Sequence, residues 1–166
     1  MQTYRSPVAP ANPADVVSID AIIAAAYDVI SGPAEQERDW DRERSLFWPG
    51  ARLIPITKQA GKLNVEGSTD ADALDIEGFI ERSREYLLKS GFFEKEIVRR
   101  TEVFGRIAHV WSTYESRHNE NDVNPFVRGI NSIQLFDDGN RWWIVTIYWQ
   151  NETPSDQIPD KYFSST

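Results

Sequence analysis

Residues 126–149 read FVRGINSIQLFDDGNRWWIVTIYW, and the fold turns on how that stretch is read. It predicts two long strands, 126–136 and 142–150, joined by Asp137-Asp138-Gly139-Asn140, whose residues tolerate positive φ and close a hairpin. The second strand places Trp142, Trp143, Ile144, Val145, Ile147, Tyr148 and Trp149 within eight positions. Such a density of β-branched and aromatic side chains calls for cover on both faces. The rest of the chain must supply that cover, and where it is incomplete a pocket is expected.

Two further strands precede the hairpin. Residues 92–104 alternate Phe93, Ile97 and Val103 with charged residues, and residues 106–118 are rich in Val, Trp, Thr and Tyr, with Gly105 turning the chain between them. The N-terminal half reads as helical. Val16, Ile19, Ile23, Ala26, Tyr27 and Ile30 form an apolar stripe on a helix over 14–30, ended by Ser31-Gly32-Pro33. A second helix is expected over 34–47, broken by Trp48-Pro49-Gly50, and a third over 72–90, with Gly91 at its end. Between them lie a strand at 51–57, demoted to an edge by Pro55, a turn at Gln59-Ala60-Gly61, a return strand at 62–66 and a loop at 67–72. Residues 1–13 read as an extended arm, 14–152 as the domain, and 153–166 as a tail that Tyr162 and Phe163 pin to the body. The expected fold class is α+β: three N-terminal helices packed on a curved antiparallel sheet, a cone-shaped α+β barrel with a concave pocket.

The 166 residues are 40% hydrophobic and 12% aromatic, enough for one globular domain with a sizeable core. No apolar run is long enough to span a bilayer, and the first residues lack a secretory apolar region, so a cytoplasmic location without membrane contact is expected. Without cysteine there is no disulfide, thiolate metal site or thiol nucleophile. A net charge of −8 argues against nucleic acid as a partner. No phosphate-cradling glycine loop, nucleophile elbow or HExxH stands in the chain. His109 and Glu115 lack a third ligand, so neither a metal nor a cofactor is expected.

Three stretches carry a family resemblance: DWDRERSLFWPGARL at 39–53, AHVWSTYE at 108–115 and DDGNRWWIVTIYW at 137–149. Over roughly residues 15–149 the chain resembles the nuclear transport factor two-like superfamily, in its SnoaL-like branch. That superfamily includes ketosteroid isomerases, scytalone dehydratases, polyketide cyclases, epoxide hydrolases, dioxygenase small subunits and non-catalytic binding proteins, so the resemblance implies a cone and names no chemistry. Laid on the ketosteroid isomerase pattern, Tyr27 matches the oxyanion-hole tyrosine. Pro55 falls near the general-base aspartate and Ser132 near the second oxyanion donor, which argues against that isomerase. The same overlay points His109, Trp111, Thr113 and Glu115 into the cavity, with Val145, Ile147 and Trp149. Tyr27-Asp28 and Asp39-Trp40-Asp41-Arg42 look similar to runs in scytalone dehydratase, and Glu96 stands where one of its catalytic histidines would be. Members commonly dimerise through the sheet, which implies a homodimer and suits a tryptophan-rich outer face.

Each chemical candidate has a plainer reading beside it. His109, with Glu115 on the same strand face, fits a general base, or else a hydrogen-bonded core residue. A one-residue shift of register would turn His109 and Trp111 outward and bring Ala108, Val110 and Ser112 in. Tyr27 fits an oxyanion donor or a core tyrosine. Glu94 and Glu96 share a face and fit pocket carboxylates or solvated edge residues. Trp40, Trp111, Trp143 and Trp149 fit aromatic pocket walls or core packing. Arg128 fits an anion contact or a surface ion pair. The expected activity is that of an isomerase, dehydratase or cyclase acting by acid–base chemistry on an apolar cyclic or aromatic small molecule. His109, Tyr27 and Glu115 would be its catalytic residues, and Trp40, Trp111, Ser132, Ile147, Trp149 and Glu96 its substrate contacts. The alternative is a non-catalytic ligand-binding or dimerisation domain.

Overall fold

A computed structural model describes residues 10–56, 58–59, 62–63 and 73–164. Most of the expected arm, the turn at 60–61, the end of the return strand at 64–66 and the loop at 67–72 lie outside these residues. The described chain runs α1 (Pro13–Val16), α2 (Ile19–Ile30), α3 (Trp40–Leu46), β1 (Phe47–Ile56), β2 (Lys58–Gln59), β3 (Lys62–Leu63), α4 (Ile76–Lys89), β4 (Phe93–Phe104), β5 (Ile107–Arg117), β6 (Val127–Asp137), β7 (Trp142–Asn151) and a short 3-10 turn at Asp160–Tyr162. Five strands form one curved sheet in the order β1-β7-β6-β5-β4. The fold class is α+β, as the sequence implies.

The β6–β7 hairpin forms where the DDGN turn predicts it. Gly139 takes φ +97°, and the side chains of Asp137 and Asp138 accept hydrogen bonds from the backbone N–H groups of Gly139, Asn140 and Arg141. β1 is an edge strand, consistent with Pro55, but it runs parallel to β7 and begins at Phe47, through the Trp48-Pro49-Gly50 run expected to be a break. The sheet is therefore mixed.

Two helix expectations need correction. The helix over 14–30 is split, because Ser18 turns extended and its side chain accepts a hydrogen bond from the Ala21 N–H, capping α2. The helix over 34–47 shrinks to Trp40–Leu46, capped by Asp39. The reason is Arg38. Its buried guanidinium donates to the carbonyls of Ile30, Gly32, Pro33, Gln36 and Leu87. The segment before α3 wraps around that side chain instead of coiling. Ile30 and Leu87 lie in the last turns of α2 and α4, where unsatisfied carbonyls and the negative ends of the helix dipoles favour a cation.

The core lies between α2, β1 and the concave sheet face, with Ile22, Ile23, Leu46, Val110, Ile133, Leu135 and Ile144 almost wholly buried. Two bulges keep that face consistent. One extra residue near Ile97 interrupts the β4–β5 register, and one near Val145 interrupts β6–β7. Each flips the alternation beyond it, so Ile144, Ile147 and Trp149 all serve the concave side. The outer face is partly covered by the tail. Tyr162 packs on Trp111 at 5.8 Å, Thr113 Oγ1 donates to the Tyr162 carbonyl at 2.8 Å, and the Arg128 guanidinium sits over the Phe163 ring.

Candidate functional site

The concave side encloses a cavity of about 300 Å³ between α2, α3, α4 and the sheet. Its walls are largely apolar: Ala26 and Ile30 from α2, Phe79 and Leu87 from α4, Phe47 and Leu53 from β1, Ile133 from β6, Ile147 and Trp149 from β7. Phe79 meets Trp149 edge to face at 6.2 Å. Exposed Arg82 and Tyr86 on α4 mark the mouth. A volume at the lower end of known ligand pockets suits a molecule of one or two rings.

The polar lining gathers around Tyr27, Asn131, Glu94, Tyr114 and Glu43. Tyr27 Oη lies 2.6 Å from Ser112 Oγ and accepts from Asn131 Nδ2 at 2.9 Å. Ser112 Oγ donates to Glu96 Oε2, and Arg99 grips Glu96 through Nε at 2.9 Å and Nη2 at 2.7 Å. Residues three apart on a regular strand face opposite ways, so the bulge near Ile97 is what lets Glu96 and Arg99 pair. Arg99 Nη1 also pairs with Asp20 on α2. Burial, then the nearby charge of Glu94, raises the Tyr27 phenol well above its ordinary range.

Glu94 faces the cavity beside this chain. Ser116 Oγ donates to its Oε2 at 2.9 Å. Desolvation pushes its carboxyl up to about 7, against the opposing pull of the Ser116 bond. Part of its surface opens onto the cavity, while protein atoms crowd it on the other sides. Across the cavity, Glu43 on α3 is buried, its Oε2 has no hydrogen-bond partner among the described residues, and desolvation pushes it up to about 8 despite the charge of Arg42. Tyr114 Oη donates to Asn151 Oδ1 at 2.6 Å and lies across Gly129, where a Cβ would come within 2.2 Å of that hydroxyl.

The sequence-derived site is thus partly reassigned. Tyr27, Ile147 and Trp149 line the cavity, and Glu96 lies on its side of the sheet, one hydrogen bond beyond Ser112. His109, Trp111, Thr113 and Glu115 do not face it. The register of β5 turns Val110, Ser112, Tyr114 and Ser116 inward, and His109 lies on the convex face with its Nε2 2.9 Å from Ser132 Oγ. Glu115 pairs there with Arg117 at 2.8 Å. Ser132 shares that outer face, as does Val145 at its bulge, beside His109 and Gln134. Trp40 packs with Ile80 and Leu87 behind the cavity wall, its Nε1 donating to Glu37 at 2.6 Å. Trp143 meets Trp48 edge to face on the other side of β7, and Arg128 pairs with Glu152 at 2.9 Å. Ser112, Asn131 and Glu43 were not singled out as site residues. Ser112 and Ser116 sit two apart from Tyr114, a small-polar alternation that marks an inward face built to meet carboxylates.

No protein-family model matches the chain, and no curated protein matches it. Solved structures do. A cystatin-like protein of unknown function from Nostoc punctiforme superposes with TM-score 0.59 at 12% identity, over 83% of this chain and 91% of that one. A cystatin-like protein from Caulobacter vibrioides gives 0.58 at 10% identity, over 84% and 90%. The protein has the nuclear transport factor two-like fold. A candidate ketosteroid isomerase from Parabacteroides distasonis shares it, with TM-score 0.53 at 13% identity over 84% of this chain and 92% of that one. At these identities the likeness concerns the nuclear transport factor two-like cone alone. Among the described residues no cluster of His, Asp and Glu could hold a metal ion, and no helix is long and apolar enough to cross a membrane.

Proposed function

We propose that the cone binds a small apolar molecule of one or two rings carrying an oxygen function, and that Glu94 exchanges a proton with a carbon beside that oxygen. Glu94 carries the reading. It is a carboxyl in a largely apolar cavity, held by one serine, with its proton balanced at about 7. A general base works best when its proton is labile near the working pH. Glu94 would take the carbon-bound proton, the C–H electrons would form the new C=C bond, and the displaced C=O electrons would settle on oxygen. Asn131 lines the same cavity, and its amide, which gives one proton to Tyr27, has a second with which to meet that oxygen. Return of the proton to the same or another carbon completes exchange or isomerisation. His109 and Glu115 have no part in it.

The test is hydrogen–deuterium exchange at C1 of 2-tetralone in heavy water, followed by NMR. Wild type should accelerate exchange over buffer, Glu94→Gln should lose about 100-fold, and His109→Ala on the opposite face should match wild type. An unchanged rate in Glu94→Gln would end the reading. Binding of the ketone without exchange would leave a storage or sensing cavity.

A further inference from the structure

The hydrogen bonds beneath the cavity have a fixed direction. Glu96 is held by Arg99, which is itself paired to Asp20. A carboxylate gripped by a guanidinium only accepts hydrogen bonds. The single proton of Ser112 therefore goes to Glu96, and Ser112 Oγ offers lone pairs on its other side. Tyr27 Oη stands 2.6 Å away on that side, so the phenol must donate to it. Tyr27 has one proton, and it points out of the cavity. One of its lone pairs accepts from Asn131 Nδ2 at 2.9 Å. Tyr27, Ser112 and Asn131 are all buried, so bulk water cannot reverse the order cheaply. What Tyr27 has left for a ligand is an acceptor.

We propose that the cavity selects a ligand presenting a hydroxyl to Tyr27, as in an alcohol, phenol or enol, over one presenting a carbonyl or ether. This deepens the proton-transfer reading and rests on it for the use of the cone as a ligand cavity. Abstraction leaves the carbon's proton on Glu94 and the charge on oxygen; passing that proton from Glu94 to the oxygen gives the neutral enol, whose new hydroxyl the Tyr27 lone pair accepts. Ser112 is a positioning residue: it never meets the ligand and acts by orienting the Tyr27 proton.

The probes are 2-naphthol and 2-methoxynaphthalene, which differ by one methyl group at the oxygen, with binding measured by calorimetry on the full chain. Wild type should bind the naphthol about fivefold to tenfold more tightly. Ser112→Ala removes the acceptor for the Tyr27 proton and frees it to turn into the cavity, so the preference should fall to unity or reverse toward the ether. A merely structural serine would weaken both probes alike and leave their ratio untouched. Tyr27→Phe, which needs no intact Ser112 chain, should bring the ratio to about one by itself. Equal affinities in wild type, or the wild-type ratio retained in Ser112→Ala, would overturn the inference while leaving the tetralone result standing. Failure of both probes to bind wild type would remove the ligand cavity and this inference together. A clear naphthol preference without tetralone exchange would leave the inference intact and remove the catalytic reading.

Discussion

Replacing Glu94 with Gln should remove a defined part of the pH dependence of stability. The Glu94 carboxyl rises from the usual 4.5 to about 7 on folding, because desolvation outweighs the Ser116 bond. Between those values the folded protein holds a proton that the unfolded chain has released. Stability therefore falls as pH rises through this window and levels off above about pH 7. The gap corresponds to roughly 3 kcal/mol, at about 1.4 kcal/mol for each pH unit between the two values. The groups facing Glu94 are the Ser116 hydroxyl and the phenols of Tyr27 and Tyr114, with Glu43 across the cavity. Both phenols stay neutral throughout, since burial raises them further above neutrality. Gln keeps an amide oxygen for Ser116 and has no proton to lose. Urea unfolding followed by tryptophan fluorescence at several pH values between about 5 and about 8 should show the variant gaining on wild type by roughly 3 kcal/mol across the series. Glu43, at about 8, continues to tilt both curves downward to higher pH and cancels in their difference. A wild-type-minus-variant difference that stays flat across the series would refute the placement of a neutralised carboxyl at this site.

Arg38→Met should cost on the order of 3 kcal/mol in urea unfolding, because it strands carbonyls of Ile30, Gly32 and Leu87 around a buried site, and Arg38→Lys should recover little, since an ammonium cannot reach all of them. Gly129→Ala should cost about 1–3 kcal/mol and disturb the Tyr114–Asn151 bond, because its Cβ would fall 2.2 Å from Tyr114 Oη and 2.6 Å from the Gln150 carbonyl. An unchanged urea midpoint in either variant would contradict the packing described.

The hairpin, the edge character of β1 and the α4 stripe were legible because each rests on local chemistry: turn residues, a proline, a helical repeat. Depth within the sheet was not legible, because it depends on parity, and parity is reset by single extra residues. The bulges near Ile97 and Val145 leave no mark that alternation alone can read, yet one aligns Glu96 with Arg99 and the other keeps Trp149 inside. For β5 the chain did hold a cue. His109 and Trp111 share parity with Glu115 and Arg117, which form an ion pair, while the opposite set is Ala108, Val110, Ser112, Tyr114 and Ser116. A face carrying a charged pair belongs toward solvent, and a face of small residues belongs under a helix that packs closely. Weighing size and charge across the whole strand points the imidazole outward. The family overlay sets the opposite parity and points it inward with Trp111, Thr113 and Glu115. The carboxyl that does face the cavity, Glu94, stands on β4, where the sequence leaves Glu94 and Glu96 open between pocket carboxylates and solvated edge residues. What turns Glu94 from a solvated charge into a titrating pocket group is the helix layer closing over it, a property of the tertiary arrangement that the strand sequence does not carry.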